Sequence, residues 1–211
     1  MNEKNCAPGQ PYVASVRQIT SNRHLNFYEL KAVKRNGLDF PYYMASRAQD
    51  ASQLVMHNPD KGPDGVTIFA VYRGETEKVV LVRQFRYAIG QYVYEFPAGL
   101  VEEGEDFHLA AIREMQEETG LILEVLKPDA LYEKPYFMTD GLTDERCAMV
   151  YGYCSGECST SGLEDTESLQ VILADRTEIR RILKEEQVAL SCAYMLLHYL
   201  HDKKPFAFLT L

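Results

Sequence analysis

The chain has 211 residues, 46% hydrophobic and 25% charged, a balance that excludes a disordered chain and fits an ordinary globular protein. Its formal net charge of −9 argues against sequence-independent nucleic-acid binding, which basic surfaces drive by releasing counterions, but leaves a small anionic substrate open. Five scattered cysteines make no disulfide framework, and neither a leader-like opening nor an apolar run of membrane length is visible, so a cytoplasmic protein with reduced thiols and no membrane contact is expected.

In chain order, the alternating runs Phe27 to Lys34 and Phe40 to Ala45 predict two strands joined at an Asn36–Gly37 turn. Residues 1–50 are expected to form an N-terminal β extension, and residues 51–211 the main domain. After the loop-forming stretch NPDKGPDG, strands are expected near Val66–Tyr72, Lys78–Phe85 and Tyr92–Phe96, the last running into a turn at Pro97, Ala98 and Gly99. Between Asp106 and Thr119 there is no proline or glycine, and Leu109, Ala110, Ile112 and Met115 recur at mostly helical intervals, so a helix follows. Further strands are expected near Ile122–Leu126, Leu131–Glu133, Cys147–Cys154 and Leu169–Leu173, then helices over Arg176–Glu185 and Val188–His201. The fold class is α/β, a mixed sheet flanked by helices.

The stretch GLVEEGEDFHLAAIREMQEETGL, from Gly99 to Leu121, gathers seven acidic residues around one turn and helix. On a helix Glu114, Glu117 and Glu118 stand three and four residues apart and project over one neighbouring surface, where like charges repel. A solvated acidic face is one reading of that spacing. The other is a site for Mg²⁺, with Mn²⁺ as a substitute, since both favour hard oxygen ligands.

Gly99, Glu105, Arg113, Glu114, Met115, Glu117, Glu118, Gly120 and Leu121 match without exception the signature of Nudix hydrolases, which the chain therefore resembles. That resemblance implies the Nudix α/β/α sandwich, with Glu114, Glu118 and the Ala98 carbonyl as metal ligands and Glu117 as a third carboxylate candidate. Glu105 and Arg113 read as braces, because a guanidinium beside glutamates can orient ligand carboxylates by bidentate pairing. The chemistry implied is hydrolysis of a diphosphate bridge, catalysed by positioning and charge neutralisation.

The longer segment VVLVRQFRYAIGQYVYEFPAGLVEEGED resembles ADP-ribose pyrophosphatases. By that resemblance Arg86 contacts a substrate phosphate, with Arg83 as the other local cation, and Glu95 stands beside the metal-binding loop. The run from Asp140 through Gly141 to Glu145 resembles the family's Pro-Gly-x-Ser/Thr-Asp-Glu loop, which helps shape the distal sugar pocket; here Asp140 replaces the usual proline. The loop 156–168 corresponds to one that supplies a water-activating glutamate, with Glu167 favoured and Glu164 second. Tyr42 and Tyr43, with Phe27 and Tyr28, are candidates to clamp the base if the hairpin reaches a partner's pocket, as in dimeric relatives; packing of a strand face is the other reading.

The expected function is Mg²⁺-dependent hydrolysis of a nucleoside diphosphate sugar, ADP-ribose to AMP and ribose 5-phosphate first, by a homodimer. GDP-mannose or another nucleotide sugar is the competing substrate. A non-catalytic ADP-ribose-sensing module is the competing class.

Overall fold

The computed structural model describes residues 9–163 and 168–210. The chain divides into two compact units: the residues up to Asp64 together with Pro135–Cys147, and Gly65–Lys134 together with Ala148–Leu211.

In the first unit β1 (Tyr12–Gln18), β2 (Asn26–Val33) and β3 (Asp39–Ser46) form an antiparallel sheet in that order. Tyr28, Leu30 and Met44 share one face and close, with Ala48 and Leu54, into a small core. The first unit extends beyond the hairpin because later residues anchor to it. Val55 N–H donates to the Asp144 carboxylate at 3.0 Å, Arg47 pairs with Glu145 at 2.7 Å, and Ala45 N–H donates to Leu142 O at 2.9 Å. β1 carries mixed polar and apolar residues, and its alternation escapes a reading that looks only for apolar runs.

In the larger sheet, strands β4 (Gly65–Tyr72), β5 (Lys78–Arg86), β8 (Ile122–Val125), β10 (Arg146–Ser155, of the second unit from Ala148 on) and β11 (Leu169–Ala174) lie in the order β11-β5-β4-β10-β8. β6 (Gln91–Glu95) pairs with β5, and β7 (Ala98–Leu100) with β4. The expected turn at Ala98 and Gly99 is therefore a short strand. Val66 pairs Gly99 in register, and Ile68 N–H donates to Pro97 O at 2.8 Å, so the backbone after Pro97 finds its partners in β4. Tyr94 also forms a parallel bridge to Val188. That bridge holds Val188 extended, so the last helix begins at Leu190 and not at Val188.

Helix α1 (Phe107–Thr119) packs on one sheet face, where Ala110, Ala111 and Met115 meet Val66, Ile68, Ala70 and Val80. Helices α3 (Arg176–Glu185) and α4 (Leu190–His201) cover the other face through Ile179, Ile182 and Leu196, against Phe69, Val71, Val79 and Leu81. This is the α/β/α arrangement. Phe69 sits at its centre, edge-on to Phe96 with ring centroids 5.3 Å apart. The expected strand at Leu131–Glu133 is instead one helical turn, α2 (Ala130–Glu133), because Asp129 caps it by accepting Leu131 N–H at 2.9 Å. Two-residue β9 (Tyr136–Phe137) pairs with Arg146 and Cys147. No helix among the described residues is long and apolar enough to cross a membrane.

Candidate active site

The acid helix α1 is capped at both ends by its own sequence. Asp106 accepts the His108 and Leu109 N–H groups, and Gly120 takes φ +73°, a left-handed conformation suited to glycine, to end it. Its core-facing residues are Ala110, Ala111, Met115, Glu118 and Thr119. Glu118, only 4% exposed, is thus a carboxylate on the buried stripe, and a charge in that position requires partners. One is the Ala98 N–H, which donates to Glu118 Oε2 at 3.1 Å.

Glu114 is seated by a missing atom. A Cβ built on Gly99 would lie 1.9 Å from Glu114 Cδ and 2.0 and 2.3 Å from its oxygens, so the Glu114 carboxylate occupies the space that any side chain at 99 would fill. Strand β7 therefore presents Ala98 to Glu118 and Gly99 to Glu114, joining the two carboxylates to one backbone segment.

Arg113 connects the rest. Its Nε and Nη2 donate to the two oxygens of Glu105 at 3.1 and 3.0 Å, its Nη1 to Glu114 at 2.8 Å and Glu117 at 3.1 Å, and its Nη2 also to Leu100 O at 3.0 Å. Bonding to Glu105, then to Glu114 and Glu117, holds the guanidinium proton more firmly than usual. In return Arg113 first, and the Glu102 N–H second, hold the Glu105 carboxyl below its ordinary range. Arg113 thus links Glu105 to the Glu114 and Glu117 carboxylates. The Leu100 carbonyl is a partner that no side-chain motif could announce.

On the β5–β6 hairpin Arg86 and Glu95 form a bidentate pair at 2.7 and 2.8 Å. Register puts both on the sheet face that α1 covers, because Glu95 pairs with Val82, which lies in step with Val80 of that face. Arg83 is odd-numbered on the same strand and belongs to the opposite face. It stacks 4.3 Å above the Tyr92 ring. The structure therefore brings Glu95 and Arg86 together and sets Arg83 apart from them.

Tyr42 and Gly141 meet in the first unit, where Tyr42 Oη donates to Gly141 O at 2.6 Å. Beside them Leu30, Met44, Val55, Phe137 and Leu142 line a cavity of about 370 Å³ that the sequence did not announce. Tyr43 opposes Glu29 on the other face of the hairpin. Glu164 and Glu167 lie outside the described residues. Among the described residues no group of three His, Cys, Asp or Glu stands together as a ready-made cation cage.

The NUDIX domain model matches residues 61–190. The chain is 33% identical over 121 residues to an ADP-sugar pyrophosphatase of Mus musculus, a match covering 56% of this chain and 52% of the relative. It is 28% identical over 149 residues to an ADP-ribose pyrophosphatase of Bacillus subtilis, covering 68% and 75% respectively. The chain spans about half the length of the first curated relatives it matches, the mouse protein among them. Among solved structures, the crystal structure of an ADP compounds hydrolase superposes with a TM-score of 0.62 at 16% identity, covering 93% of this chain and 97% of that one, a likeness of fold.

Proposed function

The chain belongs to the NUDIX family, and from that premise we propose that it is a pyrophosphatase cutting the diphosphate bridge of a nucleoside diphosphate sugar, ADP-ribose to AMP and ribose 5-phosphate first among them. The observation that carries this reading is the seating of Glu114 against Gly99 and of Glu118 against Ala98 on one strand. The donor set, carboxylates of Glu114, Glu118 and Glu117 with the Ala98 carbonyl, is hard oxygen throughout and fits Mg²⁺ or Mn²⁺. Magnesium sites commonly use one or two carboxylates and leave the remaining positions to water and substrate phosphate, so a complete protein cage is not required.

A bound divalent cation would polarise the phosphoryl oxygens and offset charge on the departing phosphate. The residues supply the rest. Arg113 keeps Glu114 and Glu117 oriented, and Arg86, itself held by Glu95, steadies a substrate phosphate. A glutamate takes the proton of the attacking water, either one of the motif or one from the loop that holds Glu164 and Glu167. In the first unit Tyr42, Tyr43 and the Gly141 loop are read as the base and sugar contacts of a homodimer.

The test is to incubate the protein with Mg²⁺ and, separately, ADP-ribose, ADP-glucose, GDP-mannose, NADH and diadenosine polyphosphates, and to resolve the nucleotides by ion exchange. AMP released fastest from ADP-ribose supports the reading. Preference for GDP-mannose keeps the metal chemistry and discards the substrate, and no hydrolysis of any compound discards both. A monomer in light scattering at micromolar concentration refutes the dimer.

A further inference from the structure

The chain after β10 returns to the acid helix. Within residues 156–163, Ser159 N–H donates to Thr119 O at 2.8 Å, and Gly156 O accepts from Tyr72 Oη at 3.0 Å. Two glycines permit the approach, one from each side. A Cβ on Gly120 would stand 2.8 Å from both Cβ and N of Ser159, and a Cβ on Gly162 would stand 2.8 Å from Glu117 O and 3.2 Å from its Cα. Gly162 does not adopt a left-handed φ, so its requirement is space and not backbone conformation.

The contact falls on the helix turn that carries two of the motif carboxylates. Of the three glutamates bound to Arg113, Glu117 is the most solvated, its side chain 49% exposed against 18% for Glu105 and 14% for Glu114. Arg113 restrains its carboxylate from one side. The loop meets its backbone from another, at Gly162, and the end of the same turn, Thr119, at Ser159. A connection that merely crossed the surface would need neither glycine contact nor the bond to Thr119.

We propose that Gly162 is a positioning residue: by letting loop 156–163 rest on the Glu117 backbone, it fixes the last turn of α1 and so aims the Glu117 and Glu118 carboxylates for the reaction. This rests on the pyrophosphatase reading above. An added methyl group must push the loop or the helix aside, because backbone atoms at 2.8 Å cannot yield as a side-chain tip can.

The experiment compares Gly162→Ala and Ser159→Pro, which removes the bond to Thr119 without adding bulk at Glu117, with the control Thr160→Ala in the same loop. Amide hydrogen exchange across Glu117–Leu121, Mn²⁺ affinity from the electron paramagnetic resonance of free Mn²⁺, and kcat and KM for ADP-ribose are measured on the full chain. Both loop variants are expected to exchange faster than the control across those amides and to bind Mn²⁺ about tenfold more weakly. Turnover is expected to fall about ten- to a hundredfold, with KM changed by no more than about twofold. Wild-type exchange in both loop variants overturns the seat. Faster exchange with unchanged kcat and Mn²⁺ affinity overturns the positioning role. Should the wild-type protein cleave no nucleotide sugar, the hydrolase reading falls with the aiming role, and the exchange rates alone decide whether the loop holds the helix.

Discussion

Replacing Gly99 by alanine tests the site at its tightest point. The new Cβ would stand 1.9 Å from Glu114 Cδ, and reaching an ordinary contact of 3.4 Å requires the carboxylate to move by about 1.5 Å. Misplacement of a reacting group by about 1 Å can cost a hundredfold, so kcat/KM is expected to drop by roughly that factor, equivalent to about 2.7 kcal/mol. The fold should survive. Arg113 loses its 2.8 Å bond to Glu114 but keeps Glu105 and Glu117, and its side chain is 30% exposed, so solvent screening reduces the loss to about 1 kcal/mol, or about 2–4 °C in Tm. The assay is AMP release from ADP-ribose under Mg²⁺, beside thermal unfolding followed by circular dichroism. Unchanged kcat/KM in a folded Gly99→Ala protein would show that Glu114 can leave its seat without consequence, and the ligand assignment would fall.

Glu118→Gln keeps an oxygen for the Ala98 N–H but loses the charge, so most turnover should vanish with little change in unfolding midpoint; retained turnover refutes the ligand role. Glu105, held by Arg113 and the Glu102 N–H, has its carboxyl below the usual 4.5. A depressed carboxyl stabilises the fold above the unfolded-state value, and this contribution disappears as pH falls through the folded value. Urea midpoints should therefore decline below about pH 4.5 more steeply in wild type than in Glu105→Gln, and parallel curves would contradict the pairing. Burial pushes the Cys147 and Cys154 thiols up to about 12 and raises Cys192 as well, so alkylation at pH 8 followed by peptide mass spectrometry should spare all three in the native state. Chelation by EDTA should stop hydrolysis while shifting Tm by only a few degrees, because Arg113 already offsets repulsion among Glu105, Glu114 and Glu117; global unfolding on chelation would assign any cation a structural role.

The acid helix was legible without coordinates. Asp106 as cap, Gly120 as terminator and the apolar positions between them are local features, and local chemistry sets helix ends and the side-chain period. The same holds for the Asn36–Gly37 hairpin, and for the placement of Glu114, Glu117 and Glu118 on one helix at intervals of three and four residues. What remained hidden depends on atoms distant along the chain. That Gly99 is empty so that Glu114 can fill it follows from β7 lying against α1, and the reading of Ala98 and Gly99 as a turn missed the β4 partner that makes them a strand. The strand expected at Leu131–Glu133 failed because one capping carboxylate, Asp129, outweighed the strand preference of a three-residue run. Arg83 and Arg86 look equivalent in sequence, yet alternation within a paired strand sends them to opposite faces, and only the layer packed on each face gives those directions a meaning. By itself the sequence determined which groups the chain carries and their spacing on each element, because these depend on neighbouring residues. The tertiary structure decided which backbone faces which carboxylate, because that depends on pairings between distant strands and helices.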